Sequence, residues 1–153
     1  MKPHMNRRSG SGFTIAELVA VILIIGILAV AAIPRLIDRG TFDRAGFNDQ
    51  TLATLRYAQK AAIAQRRTVC ATFTTSSVTL TLASAVGSSS CNMPLAGPTG
   101  SSTVTAQSGI AYTAAPSNFS FNAAGQASLG QTLQVSGQTA TITVEQETGY
   151  VHP

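Results

Sequence analysis

One carboxylate, Glu17, lies inside an otherwise uncharged apolar run, GFTIAELVAVILIIGILAVAAIP, spanning residues 12–34 of the 153-residue chain. At a bilayer centre such an acid costs on the order of 2.5–3.5 kcal/mol, so the chemistry it suggests is charge pairing. Other side chains that could do chemistry are few. Cys70 and Cys91 are the only cysteines, and His4 and His152 the only histidines. A nucleophile needs a basic partner held beside it; His4 precedes the apolar run, and His152, next to Pro153, reads as solvated on a frayed tail. Asp38, Asp43 and Asp49 follow no calcium-loop spacing. Two cysteines without nearby histidine make a poor metal set. No catalytic constellation is found and no cofactor is implied, so the chain reads as a non-enzyme.

Lys2, Arg7 and Arg8 stand ahead of the apolar run. As a helix, residues 13–33 would extend about 32 Å, enough to cross a bilayer core. The basic residues should keep the N-terminus cytoplasmic and send the chain beyond Pro34 to the far side. A secretory signal would be cut after its apolar region, at small residues, yet Pro34-Arg35-Leu36-Ile37-Asp38 stands there instead. The informative small residue is Gly12, directly before Phe13. In the spacing of Gly12, Phe13, Glu17 and Pro34 the segment resembles the class III signal of type IV prepilins and type II secretion pseudopilins. Ile15 and Ala16 depart mildly from the commoner Leu-Ile of that family.

The resemblance implies cleavage between Gly12 and Phe13 by a membrane prepilin peptidase, which also methylates the new Phe13 terminus. It also implies that Glu17 neutralises the Phe13 amine of a neighbouring subunit during assembly. Opposite charges about 4 Å apart attract by about 4 kcal/mol at an effective dielectric near 20. Other pilins, met through helix–helix packing, and the inner membrane are the implied partners. A plain single-span anchor with an incidental Glu17 is the bland alternative.

Removing residues 1–12 leaves 141 residues with seven Lys/Arg and six Asp/Glu, so most of the net charge of +4 belongs to the leader. It is not a nucleic-acid signature. The chain divides into four segments: a leader (1–12), a transmembrane and assembly helix (13–34), an amphipathic helix continuing it (35–67) and a β-rich domain (68–153). Every basic residue after the leader falls within 35–67. Pro34 and Gly40 are expected to bend or interrupt the helix, which resumes with a cap near Asn48. Phe47, Leu55, Ala58 and Ala62 share one face and form the candidate core side; Arg56, Lys60 and Arg67 lie opposite.

Beyond residue 68, apolar and polar residues alternate. Val69, Ala71 and Phe73 form one strand; Val78, Leu80 and Leu82 come after a Thr75-Ser76 turn. Phe119 and Phe121 end at an Ala124-Gly125 turn. Leu133 and Val135, then Ala140, Ile142 and Val144 flank Gly137; Thr148-Gly149 turns the chain into Tyr150-Val151. The apolar face of this sheet wants the Phe47–Leu55 helix face as its partner. The fold expected is α+β: a long N-terminal helix packed against an antiparallel sheet, which is also what the pilin resemblance implies. Residues 83–102 read as a loop. Cys70 and Cys91 would lie on the oxidising side, where a disulfide is favoured over two free thiols. Asn118-Phe119-Ser120 fits a glycosylation pattern but falls in an expected strand, so it reads as chance.

Three functions fit: a minor pilin building or priming a type IV pilus, a minor pseudopilin of a type II secretion system, and a DNA-uptake minor pilin. NAAGQA before a late hairpin and ETGYVH near the end resemble the H-type pseudopilin and FimT branch. FDRAGFNDQTLATLRYAQKAAIAQ resembles minor prepilins of mannose-sensitive haemagglutinin pili. The first function is preferred, with a filament or inner-membrane location and a periplasmic C-terminal domain. Nucleic acid is not expected as a partner, since residues 68–153 hold no Lys or Arg and Tyr112, Phe119, Phe121 and Tyr150 are scattered.

Overall fold

The computed structural model describes residues 13–36 and 39–153, with the backbone alone for 30–36. The chain forms two compact units, one reaching Asp38 and one running from Arg39 to Pro153. In the first, helix α1 (Ile15–Leu36) contains Pro34 and continues two residues beyond it. The expected interruption at Pro34 is therefore not seen up to Leu36, and residues 37–38 lie outside the described set. From Phe13 to Ala29 every residue is exposed.

The second unit begins with helix α2 (Arg39–Gln65), which runs unbroken through Gly40 and Asn48. The break and the cap read there from sequence are both absent. A helical glycine costs about 1 kcal/mol, less than the buried face returns. That face joins Phe47, Leu55, Ala58 and Ala62, as expected, to Ala61 and to polar Asn48, Thr51 and Thr54. Thr51 meets the Tyr112 hydroxyl at 3.1 Å, while Asn48 Oδ1 and Thr54 Oγ1 have no partner among the described residues. The helix stops at a Schellman turn. Arg66 sits in the left-handed region at φ 52°; its N–H reaches the Ile63 carbonyl at 3.3 Å and that of Arg67 the Ala62 carbonyl at 3.2 Å.

Strands β1 (Val69–Phe73) and β2 (Ser77–Ala83) form the expected hairpin, pairing Phe73 with Val78 and Val69 with Leu82. Strand β5 (Phe119–Phe121) pairs with the other side of β1. The 83–102 loop reading needs correction. Strand β3 (Cys91–Pro94) lies within it and pairs with the last residues of β2, while β4 (Thr103–Thr105) pairs with the first residues of β2. Strand β3 is mostly exposed and β4 has only three residues, so no alternation marked them; Leu95, just after β3, and Val104, in β4, are buried.

The remaining strands make a second antiparallel sheet, β6 (Gln131–Gln134), β7 (Thr141–Val144) and β8 (Val151–His152), in the order β6-β7-β8. The strands expected as one sheet are thus divided between two. Both contribute apolar residues to one core with α2, including Phe121, Leu80, Val69, Ile142, Val144 and Val151. Through the core runs an aromatic ladder: Phe47 to Tyr112 at 5.1 Å, Tyr112 to Phe73 at 6.0 Å, Phe73 to Phe119 at 5.8 Å and Phe119 to Phe121 at 5.2 Å. This is an α+β fold, as expected.

Candidate functional site

At the start of α1 the local chemistry is a helix cap. Thr14 precedes the first helical residue, and its Oγ1 accepts the Glu17 N–H at 3.2 Å. Thr14 and Glu17 have the spacing of a capping box, and an acid in the first turn suits the positive end of the helix dipole. The bond shown is made by the main-chain N–H of Glu17, a cap that sequence reasoning missed although the Thr-x-x-Glu spacing carried the signal. Residues 1–12, read as a leader with the expected scissile bond after Gly12, lie outside the described residues, as do the side chain of Pro34 and all of Asp38. Phe13 is 72% exposed, and Ile15, Ile22, Leu23, Ile27 and Leu28 are exposed around all sides of α1. A helix apolar on every side requires a nonaqueous partner. Among the described residues no helix is long and apolar enough to cross a membrane; the segment read as a span continues into 30–34, whose side chains are outside that set.

The basic stripe expected on α2 is only partly formed. Arg67 lies past the helix, where α-helical spacing no longer applies. Arg56 donates from Nε to the Val151 carbonyl at 2.9 Å, fastening α2 to β8. Lys60 is exposed. Together with Gln59, Tyr150 and Val151, Arg56 and Lys60 line a cleft of 420 Å³. His152 is not on a frayed tail: it pairs with Thr143 in β8, and its ring stacks on Tyr150 at 5.2 Å. The contact of its Nδ1 with the Pro153 carbonyl, and the Glu145 carboxylate 3.3 Å from Nε2, hold its pKa above the usual 6.5.

Two stretches far apart in sequence meet beside α2. In NAAGQA, the turn at Gly125 closes with its N–H on the Asn122 carbonyl at 2.8 Å. In ETGYVH, Gly149 adopts φ +63° and lies so close that a Cβ there would collide with the Gly125 carbonyl oxygen. Gln59 Nε2 joins both turns, donating to the carbonyls of Gly125 at 3.2 Å and Thr148 at 2.9 Å. Glycine is required at 149 by both space and conformation.

Cys70 and Cys91 form a disulfide with Cα atoms 6.0 Å apart. It ties β3 to β1 across the intervening β2 and closes a loop of 21 residues, worth about 3 kcal/mol in the chain-entropy estimate. Asn118 precedes β5 rather than lying within it, and its Oδ1 accepts the Phe73 N–H at 2.7 Å. That bond gives it a structural role. Among the described residues no group of three His, Cys, Asp or Glu side chains could hold a metal.

No protein-family model and no curated protein sequence matches the chain. Its fold is similar to the crystal structure of the type IV minor pilin FimU from Pseudomonas aeruginosa, at a TM-score of 0.50 and 17% sequence identity. The match covers 71% of this chain and 90% of that one. The chain has a pilin-like fold.

Proposed function

We propose that this chain is a minor pilin, a structural or priming subunit of a type IV pilus, and not an enzyme. The observation that carries the reading is α1: apolar and, up to Ala29, exposed on all sides, with Glu17 in its first turn, ahead of a pilin-like globular unit. Burial of that helix in the inner membrane, and later among other subunits, would satisfy it. A prepilin peptidase cuts between Gly12 and Phe13 and methylates Phe13; the freed amine then gives Glu17 of a neighbour a charge to pair with. The globular unit stands in the periplasm, where oxidation of Cys70 and Cys91 is favoured. The NAAGQA and ETGYVH turns, locked together by Gln59, support placing it in the H-type and FimT branch.

Mass spectrometry of protein extracted from membranes that contain an active prepilin peptidase tests the reading. The expected terminus is N-methylated Phe13, and an intact Met1 terminus would sink it. In the same cells Glu17→Ala should leave processing and insertion intact, since it makes the segment more apolar, while incorporation into filaments falls about tenfold or more. Incorporation equal to wild type would remove the pairing role of Glu17.

A further inference from the structure

On helix α2, Arg56, Gln59 and Lys60 follow the i, i+3, i+4 spacing and so share one face. With Tyr150 and Val151 they wall the 420 Å³ cleft, and no carboxylate lines it. Arg56 is half-buried and Lys60 exposed, and neither belongs to an ion pair among the described residues. The bond from Arg56 Nε to the Val151 carbonyl fixes the guanidinium plane, while its two terminal nitrogens make no hydrogen bond among the described residues. That leaves a fork of parallel N–H groups, the geometry that holds a carboxylate by two bonds. Gln59 donates from its amide nitrogen to the Gly125 and Thr148 carbonyls, so its Oε1 is left as an acceptor. Tyr150 is 57% exposed, and the His152 ring backs it at 5.2 Å, which makes a firm aromatic wall.

We propose that this cleft is a binding site for a sugar acid, a hexuronate whose carboxylate meets Arg56 and Lys60 and whose ring lies on Tyr150. The terminal fork of Arg56 takes the two carboxylate oxygens, and the ammonium of Lys60 adds a charge-assisted bond. A sugar hydroxyl donates to Gln59 Oε1, and the apolar C–H face of the ring covers the phenol. An acidic peptide fits less well, because capture of an extended peptide relies on main-chain groups, and those beside the cleft are taken. The Val151 carbonyl accepts from Arg56, the Tyr150 N–H donates to Thr148 Oγ1, and the Tyr150 carbonyl accepts from the Glu145 N–H. Nucleic acid needs a track of cations and stacking rings, and the cleft holds two cations and one ring. Every residue of the cleft belongs to the Arg39–Pro153 unit, so the site stands whether or not the chain enters a filament.

The test is ligand-observed NMR on the full chain in detergent micelles, with tri-galacturonate as the probe. Magnetisation transferred from the protein should appear on the ring C–H protons of the trisaccharide, and titration should saturate. Galactotriose, which has similar rings without carboxylates, should bind about tenfold more weakly or worse. Lys60→Gln and Tyr150→Ala should each weaken tri-galacturonate about fivefold to tenfold, while Tyr150→Phe, which keeps the ring, should bind as wild type does. Both positions are exposed, and Lys60 makes no hydrogen bond among the described residues, so Lys60→Gln leaves the packing intact. Galacturonate binding as well as the trisaccharide would identify the free sugar acid as the ligand, and weaker binding a residue within a polysaccharide; either result supports the site. Equal binding of galactotriose, or full affinity in Lys60→Gln or in Tyr150→Ala, would overturn the proposal. So would inorganic phosphate displacing the trisaccharide at equal concentration, or tighter binding of a tri-glutamate peptide or of single-stranded DNA.

Discussion

Tyr112 shows how a single hydroxyl sets a limit on stability. It is buried among Phe47 and Phe73, and the one hydrogen bond of this hydroxyl among the described residues is with Thr51. Burial pushes its pKa from the usual 10.0 up to about 12, and the Thr51 contact pulls weakly the other way. An unfolded chain releases this proton near pH 10, before the folded chain does. The neutral phenol therefore supports folding fully below about pH 10, and that support is lost as pH rises through 12. The loss should be on the order of 2–3 kcal/mol. Urea midpoints measured from pH 9 to 12 should fall in the wild type and fall less in Tyr112→Phe. Parallel curves for the two proteins would show that Tyr112 is not the group responsible. Thr51, Thr54 and Asn48 belong to the same lesson. They fall on the buried side by helical spacing, but their polar side chains concealed them until Tyr112, far away in sequence, was placed beside Thr51.

At the scale of elements, helix α2 and the longer strands were readable because their apolar residues recur at the right period. Phe47, Leu55, Ala58 and Ala62 marked one helical face, and Val69-Ala71-Phe73 and Val78-Leu80-Leu82 marked a half-buried hairpin. Strands β3 and β4 were not readable. Each has three or four residues and is defined by its pairing with β2 rather than by its own pattern. The helix start was also misread, since Gly40 and Asn48 are weak local signals that burial of the whole face overrides. Gln59 was singled out for no role from the sequence, yet it joins the NAAGQA and ETGYVH turns. Gly149→Ala tests that junction: a positive φ and a collision with the Gly125 carbonyl should together cost about 2–4 kcal/mol. Chemical denaturation reads the cost directly. A variant as stable as wild type would mean the two turns can separate freely.

For the molecule as a whole, the distribution of charge argues against nucleic acid. Three of the four aromatic side chains that could stack on bases, Tyr112, Phe119 and Phe121, are in the core, and Tyr150 remains exposed. Of the basic stripe, Arg67 has left the helix and Arg56 is bonded to Val151. Full-length protein in detergent should bind DNA weakly, with a log–log salt slope no steeper than about −2 for two phosphate contacts. Tight binding at physiological salt would move DNA uptake to first place among the functions. The bond from Arg56 to Val151 spans 95 residues of sequence, and Gln59 reaches 89 residues on to Thr148. On the proposed topology, with the N-terminus held in the cytoplasm, α2 would cross the membrane long before the strand that seals it. Its buried face, with Phe47 and Leu55, must wait uncovered while the sheets are still in transit. Folding of the globular unit is then timed by the arrival of β8, and a chaperone or neighbour that shields α2 during that interval would govern yield.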